Sequence, residues 1–110
     1  MTVLISNIIP RKRAEAAQTT QYISTDKTII DKFTATNTTG SAAVLSVFLP
    51  ANGEAAAASN CVLSAKSIAA GDTYLCPELV GQVLETGGFI STVAGTASAI
   101  TISASGRLIS

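Results

Sequence analysis

From residue 28 onward a turn signal interrupts the chain about every ten residues, leaving room between signals for single strands and little else. The signals are Asn37-Thr38-Thr39-Gly40, Pro50-Ala51-Asn52-Gly53, Ala69-Ala70-Gly71-Asp72, Gly87-Gly88 and Gly95-Thr96-Ala97-Ser98. Asn and Gly enter positive φ at little cost, and Pro stops a ladder because it lacks an N–H. No strand pattern alternates with a long helical one, which argues against a parallel α/β fold. The cadence specifies an all-β chain, an antiparallel β-sandwich of roughly seven or eight strands. Jelly-roll connectivity is placed ahead of immunoglobulin-like connectivity.

The intervening segments carry strand chemistry. Residues 28–36 (TIIDKFTAT) are rich in β-branched side chains, with imperfect alternation. Ile29, Phe33 and Ala35 share a side with Asp31, while Ile30, Lys32, Thr34 and Thr36 take the other. In residues 42–49, Ala43, Leu45, Val47 and Leu49 point one way, and Val44 and Phe48 flank Ser46 on the other, which suggests burial on both sides. Residues 54–59 (EAAAAS) fit either one short helical turn or a loop. Residues 61–68 and 73–76 read as strands joined about Ala70-Gly71. Pro77 followed by Glu78-Leu79-Val80-Gly81 reads as a helical turn, with Pro at its start and Gly past its end. Residues 89–94 and 100–109 supply the last strands, Ile100, Ile102 and Ala104 sharing one face of the second.

The N-terminal segment differs. Val3, Ile5, Ile8 and Ile9 are apolar, and Arg11-Lys12-Arg13 gathers three of the seven basic residues. We read residues 1–17 as an extended N-terminal arm lying along a neighbouring subunit, and residues 18–110 as the β-sandwich domain. The alternative is an extra edge strand ending in a solvated basic turn. Val3, Ile5, Ile8, Ile9, Arg11, Lys12 and Arg13 are therefore the candidate protein-interface residues. Composition agrees with a surface that packs against protein: charged residues are 13% of the chain, against about 25% in an average soluble domain. Ala (18), Ser (12) and Thr (14) replace them. Three aromatic residues, Phe33, Phe48 and Phe89, lie in apolar strand patterns and are expected in the core.

The chain offers little for catalysis. It has no His, which removes the commonest general base and metal ligand and rules out Ser-His-Asp and Cys-His arrangements. Asp26, Asp31, Glu54, Asp72, Glu78 and Glu85 are scattered beside turns and strand ends. Cys61 and Cys76 lack metal-ligand spacing. A hairpin about Ala70-Gly71 would put Cys61 opposite Val80 and Cys76 opposite Ala65, so both cysteines are expected as reduced core residues. Neither GxGxxG nor GxxxxGK[ST] occurs, and Gly87-Gly88 and Gly106 are expected at turns or bulges. Seven basic residues balance seven acidic ones, so a nucleic-acid surface is not expected. No run of 18 apolar residues marks a membrane span, and the N-terminal segment lacks the marks of a signal peptide. No enzyme activity and no cofactor are expected.

Three stretches resemble small virion proteins of tailed phages: IIDKFTATNTTGSAAVLSVFLPANG, SIAAGDTYLCPELVGQVLETGGFISTVAG and ITISASGRLIS. In that family a strand on "tNtsgsa" is followed by an "iaaGet" turn, a "vLeaGdfI" segment and an "SGrEi"-like final strand. The resemblance covers roughly residues 22–110. It departs at Leu108 in Gly106-Arg107-Leu108, where the family has an acidic residue. The resemblance implies a structural role in the virion, led by a capsid decoration (cement) protein that binds the major capsid protein lattice, often as a homo-oligomer. A tail, collar or head–tail connector component would use the same features. The implied partners are the major capsid protein or other virion proteins, with no direct nucleic acid and no membrane. The implied location is the virion, assembled in the host cytoplasm. Two other classes compete. A carbohydrate-binding adhesion module would need an exposed aromatic platform, for which only Tyr22 and Tyr74 remain. An enzyme would need a carboxylate-only site.

Overall fold

In the computed structural model, which describes residues 2–110, alternating apolar positions pair into nine strands. They are β1 (Val3–Arg13), β2 (Thr19–Ile23), β3 (Lys27–Asn37), β4 (Ala43–Phe48), β5 (Cys61–Ile68), β6 (Thr73–Tyr74), β7 (Val83–Leu84), β8 (Phe89–Ala94) and β9 (Ile100–Ile109). Sheet one runs β1-β9-β3, with the two-residue strands β6 and β7 both on the far side of β3. Sheet two runs β2-β8-β4-β5. Every pairing is antiparallel.

The pairings nest: β1 with β9, β2 with β8, β3 with β6 and β7, and β4 with β5. A ribbon folded at β4–β5 and rolled so that β9 also meets β3, and β8 meets β4, is a jelly roll. The β6–β7 pair acts as one interrupted strand. Between them, residues 77–82 form a turn that opens on Pro77 and closes on Gly81 at φ +86°, dropping Leu79 into the core. The core between the sheets is built from Ile9, Ile30, Phe33, Ile100 and Ile102 of sheet one and Leu45, Val47 and Ile90 of sheet two. Each such side chain contributes about 1.5–3 kcal/mol when fully buried.

Several expectations change. The imperfect alternation in β3 comes from a bulge: its register against β9 slips between Ile30 and Lys32. Thr28 and Ile30 face inward before the slip, and Phe33, Ala35 and Asn37 after it, leaving Ile29 outside. β4 is buried on one face only, with Val44 exposed and Ser46 and Phe48 half-buried. Phe89 is also half-buried, so Phe33 alone of the three is fully in the core. The expected hairpin between residues 61–68 and 73–76 does not form. β5 pairs with β4 in sheet two and β6 with β3 in sheet one, because the turn at Gly71 carries the chain from one sheet to the other. Cys61 and Cys76 are both free thiols, Cys76 buried and Cys61 half-buried. In the ambiguous residues 54–59, a single 3₁₀ turn begins at Ala58 and runs Ala58–Asn60.

The N-terminal segment is not an extended arm. Val3–Arg13 is the edge strand of sheet one, hydrogen-bonded to β9, and the chain runs on through Ala14, whose N–H donates to the Ile100 carbonyl. Register slips between Ser6 and Ile9 let the adjacent Ile8 and Ile9 both bury, at 4% and 1% exposure. Among the described residues no helix is long and apolar enough to cross a membrane.

Candidate assembly surface

The outer face of sheet one is read from its register, because directly opposed residues of antiparallel strands share a face. One row crosses four strands: Ile5 on β1, Arg107 on β9, Ile29 on β3 and Val83 on β7. The next row out is Val3, Ile109 and Lys27. At about 4.8 Å per strand, the first row spans roughly 14 Å. Ile5 is 80% exposed, Val3 50% and Val83 47%, while Ile29 and Ile109 are half-exposed. Apart from Arg107, which stands between Ile5 and Ile29 in the first row, and Lys27, which ends the second, this end of the face is apolar, of the kind that marks a protein contact.

Its boundary is an ion pair. Asp31, the extra residue of the β3 bulge, accepts from Arg107 Nε at 3.0 and 3.1 Å and from Arg107 Nη2 at 2.9 Å. Beyond it the same face becomes hydroxyl-lined, with Ser105 opposite Lys32, Ser103 opposite Thr34, and Thr101 opposite Thr36. Lys27, on the apolar side, reaches Glu85 at 3.6 Å.

The edge beside the patch is open. Thr2 and Ser110 exchange both backbone hydrogen bonds, each 2.9 Å. By the alternation of an antiparallel ladder, Val3 and Ile5 then turn their N–H and C=O groups away from β9 to the free edge. Leu4, on the inward face beside Leu108, is still 59% exposed.

Comparison with known proteins bears on the fold. No family model matches the chain, and no curated protein does. A chain in the solved structure of infectious bursal disease virus, Gx strain, is similar at 17% identity with a TM-score of 0.51. The match covers 97% of this chain and 32% of that one, so this chain spans about a third of its length. At that identity the likeness is one of fold: an all-β sandwich found within a virus particle's structure.

The structure divides the seven sequence-derived interface residues. Val3 and Ile5 lie in the apolar patch. Ile8 and Ile9 are core residues and present nothing to a partner. Arg11 and Arg13 are exposed on β1, alongside the hydroxyl half. Lys12 is held by Glu15 at 3.0 Å. The Glu15 carboxyl, which also accepts from Gln21 Nε2, sits below its ordinary pKa, through the Gln21 bond first and Lys12 second. Sequence reading missed Ile29, Val83 and Ile109, which only the sheet register brings onto the same face as Ile5. Leu108 turns half-buried toward the sandwich interior, so an apolar residue fits where the resembled family carries an acid. The two tyrosines make poor sugar platforms. Tyr22 Oη lies 3.2 Å from Thr28 Oγ1, and Tyr74 Oη donates to the Glu78 carboxylate at 2.6–2.7 Å with Lys66 Nζ 4.8 Å from its ring centre.

Proposed function

We propose that this chain is a non-enzymatic structural subunit of a virus particle, and specifically a capsid decoration protein that binds the major capsid protein lattice of a tailed phage. The observation that carries the reading is the apolar patch of Val3, Ile5, Ile29, Ile109 and Val83, set beside an edge strand with free backbone groups. A patch and an open edge together offer a partner both apolar burial and strand addition. The fold's likeness to a chain of a virus structure and the phage-like cadence of residues 22–110 support the same reading. A chain without histidine and with few charges supports a non-enzymatic role. The partners are the major capsid protein or other virion proteins, together with further copies of this chain, and the location is the virion.

Purified particles test it. The protein should be present at a copy number fixed by capsid symmetry, with density for the sandwich on the capsid faces in electron cryomicroscopy. Density at the tail or collar would keep the structural role and discard decoration. Absence from washed particles would discard both.

A further inference from the structure

The hydroxyl half of the outer face holds a concavity of about 340 Å³ lined by Arg11, Lys32, Ala104 and a floor of Thr and Ser. We propose that this concavity is a binding site for an acidic saccharide, one carrying carboxylate or sulfate groups on a polyol frame. The proposal does not depend on the virion reading.

Both cations are aimed by bulges. Ile9 opposes Ala104 and Lys12 opposes Ile102, so Pro10 and Arg11 together face Ser103, and the extra residue brings Arg11 to the rim of the floor. Lys32 follows the slip at Asp31 and stands opposite Ser105. Among the described residues Lys12, Lys27 and Arg107 have carboxylate partners, whereas Arg11 and Lys32, like Arg13 and Lys66, have none, and of these four only Arg11 and Lys32 line the concavity. No carboxylate lines the concavity. In a chain of zero net charge, two unpaired cations facing one hollow are a local excess that an anion would neutralise.

The floor narrows the ligand further. Lys32–Ser105, Thr34–Ser103 and Thr36–Thr101 form three cross-strand rows. Their repeat is about 4.8 Å across the strands and roughly 6.7 Å along them. Thr36 Oγ1 is shared with Thr73 at 2.9 Å; the hydroxyls of Thr34, Thr101, Ser103 and Ser105 bond to no protein group among the described residues. These groups both donate and accept, as a sugar's hydroxyls do. A peptide fits less well. β3 and β9 are interior strands whose backbone groups are used by the ladders, so no strand can be added there, and Ala104, the one apolar residue among the described lining residues, is buried in the core and offers no anchor. The lining has no aromatic residue on which a nucleobase would stack.

Titration of the full chain by NMR and calorimetry tests the site, with a heparin-derived tetrasaccharide as probe. Sodium sulfate, hexaglutamate and neutral N-acetyllactosamine serve as comparisons. The tetrasaccharide should bind and shift the amides of β3 and β9 around Thr34 and Ser103. Arg11→Ala and Lys32→Ala should each weaken binding about tenfold, whereas Lys66→Ala should not. Thr34→Val, which keeps shape and removes a hydroxyl, should weaken it several-fold while leaving the weak sulfate response unchanged. No tetrasaccharide binding, equal binding by hexaglutamate or sulfate, or indifference to Arg11→Ala and Lys32→Ala would each overturn the proposal. All the substituted side chains are exposed or half-exposed, and an unchanged amide spectrum away from the site verifies folding.

Discussion

Gly106 occupies the point where the β3 bulge presses closest to β9: a Cβ there would collide with the Ile29 carbonyl oxygen. Gly106→Ala must push two central strands apart, so we expect a loss of about 1–3 kcal/mol in urea unfolding. This glycine was legible in sequence as a bulge or turn residue, although its role rests on space and not on positive φ. Asn37 was legible as a turn residue for the wrong reason. It is fully buried, its Nδ2 donates to the Ser41 and Ile68 carbonyls, and its Oδ1 accepts from the Thr39 N–H and hydroxyl, so hydrogen bonding and not φ freedom fixes the corner. Tyr74 shows what no spacing rule contains. Its hydrogen bond to Glu78, aided by burial and the Glu78 charge, pushes its pKa up to about 12, while the same bond holds the Glu78 carboxyl below its ordinary value. The tyrosine's contribution to stability is complete below its unfolded pKa of about 10 and is lost as pH rises through about 12. The glutamate's contribution is present above the ordinary carboxyl range and is lost as pH falls through the lowered value. In a Tyr22→Phe background, phenolate absorbance should place the Tyr74 transition near 12, and Glu78→Gln should return it toward about 10.

β1 combines two roles that its sequence pattern conceals. Slips at Ser6/Ile9 and Ile9/Lys12 break both the strand period and the helical one, so Val3, Ile5, Ile8, Ile9 and Arg11 share no single face. Read as an apolar stretch followed by a basic cluster they suggest an arm; read in register they divide into an exposed half and a buried half. Removing residues 1–13 would delete two buried isoleucines, about 3–6 kcal/mol together, and expose the β9 edge. Set against a typical total stability of about 5–15 kcal/mol, that loss should lower the thermal midpoint by more than about 10 °C. Ile5→Ser, in the exposed half of the same strand, should leave unfolding within about 0.5 kcal/mol of the parent. A truncated chain that unfolded at the parent's midpoint would restore the arm. The paired strand ends at β5 and β6 illustrate the same limit: turn chemistry at Gly71 marks a reversal, but whether the next strand stays in its sheet depends on contacts with β3 and β4 that lie far away in sequence.

The rolled ribbon explains why the proposed contact face is a composite of distant segments. Its strand cadence and closing-strand alternation were readable from residue 28 onward, because turn residues and period-two burial are local. The nesting of β1 with β9 and β3 with β7 was not, and that nesting is what assembles Ile5, Ile29 and Val83 from three separate stretches into one row. If that row is the assembly contact, its two ends must matter jointly and must be separable from stability. Ile5→Lys and Val83→Lys place charges on opposite ends of the row, about 14 Å apart, at side chains already 80% and 47% exposed. Neither removes core packing, so the unfolding free energy of the double variant should stay within about 0.5 kcal/mol of the parent. Burying either ammonium against an apolar partner surface without a counter-charge is costly, so occupancy on reconstituted particles should collapse for the double variant and fall for each single one. Arg11→Ala, on the hydroxyl half across the Asp31–Arg107 pair, should leave occupancy intact, because that half offers a partner no apolar burial. Full occupancy with the double lysine variant would move the contact off this face, and loss with Arg11→Ala alone would place it on the other half.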